Sequence, residues 1–147
     1  MAEAPTLLEG YQVLHKLAQE TSFNAKELTV VWQAVNVEHA CHYCVPAHTG
    51  IAKSMKVSDD LIEELRNDET LSDSKLNTLK DTVLALTRGR GNVDSAQLDA
   101  FYSAGYRHQQ LLEIILILAQ KVMSNYTNHL AETPVDEPFK KFEWSPK

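Results

Sequence analysis

The sequence predicts an all-α, single-domain protein of about seven helices, on three observations. Apolar residues recur at helical spacing in one segment after another, no segment alternates strictly between apolar and polar for more than a few residues, and caps or breakers punctuate the intervals. With 147 residues and 44% hydrophobic content, the chain can build one ordinary core. A net charge of −6 and no Lys/Arg cluster leave no field for a phosphate backbone, so nucleic acid is not an expected partner. The longest apolar run, Ile114 to Ala119, is far short of the roughly 20 residues of a membrane span. The opening M-A-E-A-P-T lacks the positive start of a secretory signal, so the expectation is a soluble, cytoplasmic protein with no membrane partner.

The elements follow in order. Leu7, Leu8, Tyr11, Leu14, Leu17 and Ala18 form an apolar stripe that predicts a helix over about 6–20, started by Thr6 after Pro5, with His15 at its boundary or on the surface. Asn24 and Glu27 have the spacing of a capping box and open a second helix, which Leu28, Val31, Trp32 and Val35 carry to about 38–40, with Trp32 as a core residue. Ser58, Asp59 and Asp60 cap a short helix over 59–66. Ser72 or Asp73 opens the next, which bears Leu76, Leu79, Val83, Leu84 and Leu86 and stops at Gly89. After the G-N-V-D turn, Ser95 to Ala104 forms another, ended by Gly105. From Arg107 to about Ala131 apolar residues cover nearly the whole circumference, which predicts a central helix or one that also meets another subunit. Residues 1–132 are read as the domain. Residues 133–147, with three prolines and Phe139, Phe142 and Trp144, are read as an extension packing on the domain or on a neighbouring subunit.

Between the second helix and residue 55 lies E-H-A-C-H-Y-C-V-P-A-H, Glu38 to His48, which contains both cysteines and three of the six histidines. Pro46 divides it. Proline fits a helix only in the first turn, where its missing N–H had no partner, so the helix through His48 and Ile51 to about Met55 must begin near His42 to Cys44. Cys41 and Cys44 then stand at a helix start.

A free thiol with a pKa of about 8.5 is little ionised at neutral pH, and a helix N-terminus or a nearby imidazolium raises the thiolate fraction. Cys44 has the helix end and also His48 at i+4 on the same face, while Cys41 is close enough to pair as a disulfide if the turn permits. The arrangement suits a cycle in which one thiolate attacks an electrophilic oxygen or sulfur and the second resolves the product. His48 is the candidate acid–base group and Glu38 the nearest carboxylate to support it, with Tyr43 and His42 as supporting residues. Blander readings stand beside these. The cysteines could be two buried apolar residues, or they could hold zinc with His48 and either His39 or Glu38. Glu38, His39 and His42 could be plain surface groups, and Tyr43 a packing residue.

The segment N-V-E-H-A-C-H-Y-C-V-P-A-H-T, Asn36 to Thr49, with the G-N-V turn at Gly91, the S-A-G-Y at Ser103 and the long helix ending near Asn125, resembles the alkylhydroperoxidase D-like, carboxymuconolactone decarboxylase superfamily over roughly residues 20–130. The resemblance implies an all-helical fold, assembly as a homo-trimer or homo-hexamer, and a peroxidase or disulfide reductase that needs no cofactor or metal. It implies a hydroperoxide or disulfide substrate and a dithiol or thioredoxin-like reductant. Cys44 matches the attacking thiol, Cys41 the resolving one, and His48 belongs to a relay with a glutamate. The family's relay glutamate falls where this chain has Thr29, with Glu27 two positions away, so Glu38 is taken for that role. Decarboxylases on this fold generally lack the cysteine pair; the alternatives are a lyase acting on a lactone acid and a non-enzymatic helical oligomer with a zinc site.

Overall fold

Asn24 caps the helix around which the molecule is assembled. Its side-chain oxygen accepts from the backbone N–H groups of Lys26 and Glu27, while the Glu27 carboxylate accepts from the Asn24 N–H. In the computed structural model, which describes residues 1–146, this is α2 (Ala25–Glu38), preceded by α1 (Pro5–Gln19). It is followed by α3 (Cys44–Ser54), α4 (Asp59–Arg66), α5 (Ser74–Arg88), α6 (Ser95–Ser103), α7 (His108–Leu130) and a 3-10 helix over Glu137–Phe142. Among the described residues there is no strand. The first helix begins at Pro5, one residue before the expected Thr6, because proline is well suited to the first turn. Asp73, and not Ser72, caps α5 by accepting from Lys75 and Leu76.

The central helix is α2 and not α7. It packs against α3, α4, α5 and α7, while α1 lies on α7 and α6 on α5. All ten residues from Glu27 to Asn36 are buried, the polar Thr29, Gln33 and Asn36 included. The apolar part of the core joins Val30, Val31, Trp32 and Val35 to Leu61, Ile62, Leu65, Leu79, Val83, Phe101, Ile114 and Ile117. On α7 the buried line is one stripe that changes character along its length: Ile114 and Ile117 give way to Gln120, Lys121, Ser124 and Asn125. The apolar circumference read from sequence is covered on one side only, and Leu112 and Ile115 remain about half exposed.

Residues 133–146 lie along α3. Phe139 sits so closely over Gly50 that a Cβ there would come within 2.7 Å of its ring. The Arg66 guanidinium donates to the carbonyls of Phe142 and Glu143, and the Trp144 indole N–H donates to the Arg66 carbonyl at 2.8 Å. Lys147, the last residue of the expected extension, lies outside the described residues. Among the described residues no helix is long and apolar enough to cross a membrane.

Candidate active site

The cysteines are placed by how α2 ends. Ala40 takes a left-handed conformation (φ 50°), and the N–H groups of Ala40 and Cys41 return to the carbonyls of Val37 and Asn36, a Schellman closure that turns the chain into α3. Cys44 is the first residue of α3 and Pro46 the third, so the proline costs the helix no hydrogen bond. A buried relay of amides ties this start to the core. His39 Nδ1–H donates to Asn125 Oδ1 at 2.9 Å, Asn125 to Asn36 at 3.0 Å, Asn36 to Gln33 at 3.0 Å, and Gln33 to the Val45 carbonyl at 3.2 Å. The polar face of α2 is buried because it carries this relay.

Both cysteines are free and buried. The Cys44 N–H donates to the Cys41 sulfur at 3.3 Å, and the Asn128 amide donates to the Cys44 sulfur at 3.2 Å. The neighbouring Cys41 side chain, with the Lys121 charge and the Asn128 and Asn125 amides, holds the Cys44 thiol below the ordinary range against the opposing effect of burial. Cys41 is pushed up by the adjoining Cys44 side chain, by burial and by the Cys44 charge. Of the two sulfurs, Cys44 is the one whose surroundings favour the thiolate, and it is the one that accepts from Asn128.

His48 is buried on the face of α3 that carries Cys44, but its Nε2 is taken by Lys121 Nζ at 2.8 Å and its Nδ1 has no partner. Burial first, then the charges of Lys121 and His15, push the imidazole well below its ordinary pKa, so it is neutral. A column of rings leads inward to it: Tyr11 to His15 at 5.8 Å between centroids, His15 to Trp32 at 6.0 Å, and Trp32 to His48 at 4.9 Å. His15, read from sequence as a boundary or surface group, is part of this wall. The cavity beside Cys44 holds about 200 Å³ and is lined by Tyr11, His15, Tyr43, His48, Lys121 and Asn128, with Phe139 from the C-terminal segment.

Glu38 is not brought to His48. Arg88 clasps both of its carboxylate oxygens, at 2.9 and 2.6 Å, because the end of α5 passes the end of α2 there. Glu27 is equally committed, to its cap and to Lys75 at 3.3 Å. Of the supporting residues, Tyr43 lines the cavity and donates to Asp136 at 2.7 Å, and His42 bonds the Thr133 carbonyl at 3.0 Å, outside the site. Among the described residues no three His, Cys, Asp or Glu side chains converge as a metal site would require. Lys121, Asn125 and Asn128 were missed from sequence. The one available signal was a lysine and two asparagines interrupting the apolar stripe of a long helix.

No family model matches the chain, and no curated protein matches it in sequence. Solved structures do. The alkylhydroperoxidase AhpD core of an uncharacterized peroxidase-related protein from Ralstonia eutropha JMP134 superposes with a TM-score of 0.84 at 17% identity, over 94% of this chain and 75% of that one. An uncharacterized peroxidase-related protein from Silicibacter sp. TM1040 superposes at 0.78, also at 17% identity, over 90% of this chain and 71% of that one. The sequence resemblance therefore holds at the level of architecture: the chain has the all-helical, AhpD-like fold.

Proposed function

We propose that the protein is a thiol-dependent peroxidase acting on small hydroperoxides, with Cys44 as the attacking thiolate and Cys41 as the resolving thiol. The observation that carries this reading is the division of labour between the sulfurs. Cys44 borders the cavity and accepts from the Asn128 amide beside the Lys121 charge, which favours its thiolate, while Cys41 is absent from the cavity lining and its sulfur accepts from the Cys44 N–H. In the reaction, the Cys44 sulfur bonds to one peroxide oxygen as the O–O bond breaks, the alcohol leaves, and Cys44 becomes a sulfenic acid. Cys41 then attacks that sulfur, water departs, and a disulfide forms. An external dithiol, small or thioredoxin-like, restores the pair.

The names of the structural neighbours, which describe them as peroxidase-related, support the same chemistry. The test is hydroperoxide consumption with a dithiol reductant in the wild type, Cys41→Ser and Cys44→Ser. Cys44→Ser should abolish turnover, while Cys41→Ser should stop at a sulfenic acid that dimedone traps. Full turnover in both variants refutes the mechanism. A lactone-acid lyase would instead keep its activity after both thiols are alkylated.

A further inference from the structure

Lys121 is the charged group to which this thiol cycle has given no part in moving protons. It is 1% exposed, and burying an ammonium is strongly unfavourable unless an opposite charge lies nearby. No carboxylate pairs with it among the described residues, and none lines the cavity. The titratable groups around it are Cys41 and Tyr43 before α3, Cys44 and His48 on α3, and Tyr11 and His15 on α1; no charged group of α2 or α5 lines the cavity. The only anion in this set is the Cys44 thiolate.

The protons can then be assigned. An ammonium donates and cannot accept, so His48 Nε2 must offer its lone pair and the imidazole proton must sit on the unpartnered Nδ1. An imidazole whose accepting nitrogen is already occupied by a cation is not free to take the Cys44 proton, and with Glu38 bound to Arg88 no carboxylate among the described residues bonds its other nitrogen.

We propose that Lys121 replaces the histidine–carboxylate relay, serving as the counter-ion that keeps Cys44 ionised and as the acid that protonates the leaving oxygen. The acid role rests on the peroxidase reading; the counter-ion role does not. In the peroxide step two electrons pass from the Cys44 sulfur, the S–O bond forms as O–O breaks, and the departing alkoxide takes one proton from the Lys121 ammonium. Disulfide formation uses the Cys41 proton to release water. The thiolate charge is now gone, and Lys121 stays behind as a neutral amine, the form that burial favours. Reduction by an external dithiol supplies two electrons and two protons, one going to Cys41 and one to Lys121, and the thiolate–ammonium pair is restored. His48 is a positioning residue that fixes the amine.

The experiment uses Lys121→Met and Lys121→Arg in the full chain with both cysteines present. Iodoacetamide modification of Cys44 is followed against pH by mass spectrometry, beside hydrogen peroxide consumption with dithiothreitol. In Lys121→Met the alkylation midpoint should rise by about one pH unit or more. Peroxide turnover should fall by about 100-fold or more. Lys121→Arg should keep the low midpoint, since the charge remains, but lose turnover, since a guanidinium does not release its proton. An unmoved midpoint in Lys121→Met overturns the proposal, and Met, apolar and of similar length, suits a buried position should Arg not fit. A raised midpoint with undiminished turnover overturns the acid role. If the wild type consumes no peroxide yet the midpoint still rises in Lys121→Met, the peroxidase reading falls and the ion pair stands.

Discussion

Glu38 and Lys121 carry opposite charges into opposite environments, and the contrast sets what each can do. Glu38 meets Arg88 where solvent screens both, the Arg88 side chain being 56% exposed, so the pair is worth only about 0.2–1 kcal/mol. Lys121 has no solvent, and its charge therefore acts on whatever lies beside it. Glu38→Gln should lower stability in urea by no more than that amount and leave the pH profile of Cys44 alkylation where it was. A shifted profile would return Glu38 to the site. For Cys44 the direction of the pH effect follows from its lowered pKa: modification is slow below the midpoint, where the sulfur is protonated, and levels off at a pH where an ordinary thiol is still mostly protonated.

At the scale of elements, the site depends on how α3 starts and on what covers it. The start is over-determined by the Schellman closure at Ala40, by Pro46 in the first turn and by the amide relay through Asn36 and Gln33. The cover is the C-terminal segment, whose Phe139 both lines the cavity and rests on Gly50. Gly50→Val places new carbon where the Phe139 ring now sits, and the ring is a movable side-chain end. The expected outcome is a displaced segment over an intact α3, with iodoacetamide reaching Cys44 several-fold faster and helix content unchanged by circular dichroism. An unchanged alkylation rate would show that Phe139 does not limit access.

At the scale of the whole molecule, α2 fills the centre and α7 is left with one dry side and one wet side. Leu112 and Ile115, three residues apart and so neighbours on one face of α7, are 54% and 51% exposed. Val13 and Leu17 on the adjoining α1 are also exposed. Self-association, the expectation drawn from the apolar course of 107–131, is tested on this face. If copies associate through it, the wild type scatters light as an oligomer and Ile115→Lys lowers that mass. A monomeric wild type at micromolar concentration refutes the expectation.

The sequence alone determined what depends on residues within a turn or two of one another. The capped helices, the break before Cys44 and the shared face of Cys44 and His48 follow from hydrogen-bonding and steric rules that act locally. Recognition of the Asn36 to Thr49 segment extended this to the fold. Only the tertiary structure decided which charges meet. Lys121 reaches His48 across 73 residues of chain and Asn128 reaches Cys44 across 84, while Glu38, only ten positions from His48, is drawn away by Arg88. Spacing could not reveal this, because a side chain's partner is set by which faces pack together. A buried polar group in particular is placed by what lies opposite it, here His48 and Cys44 on another helix.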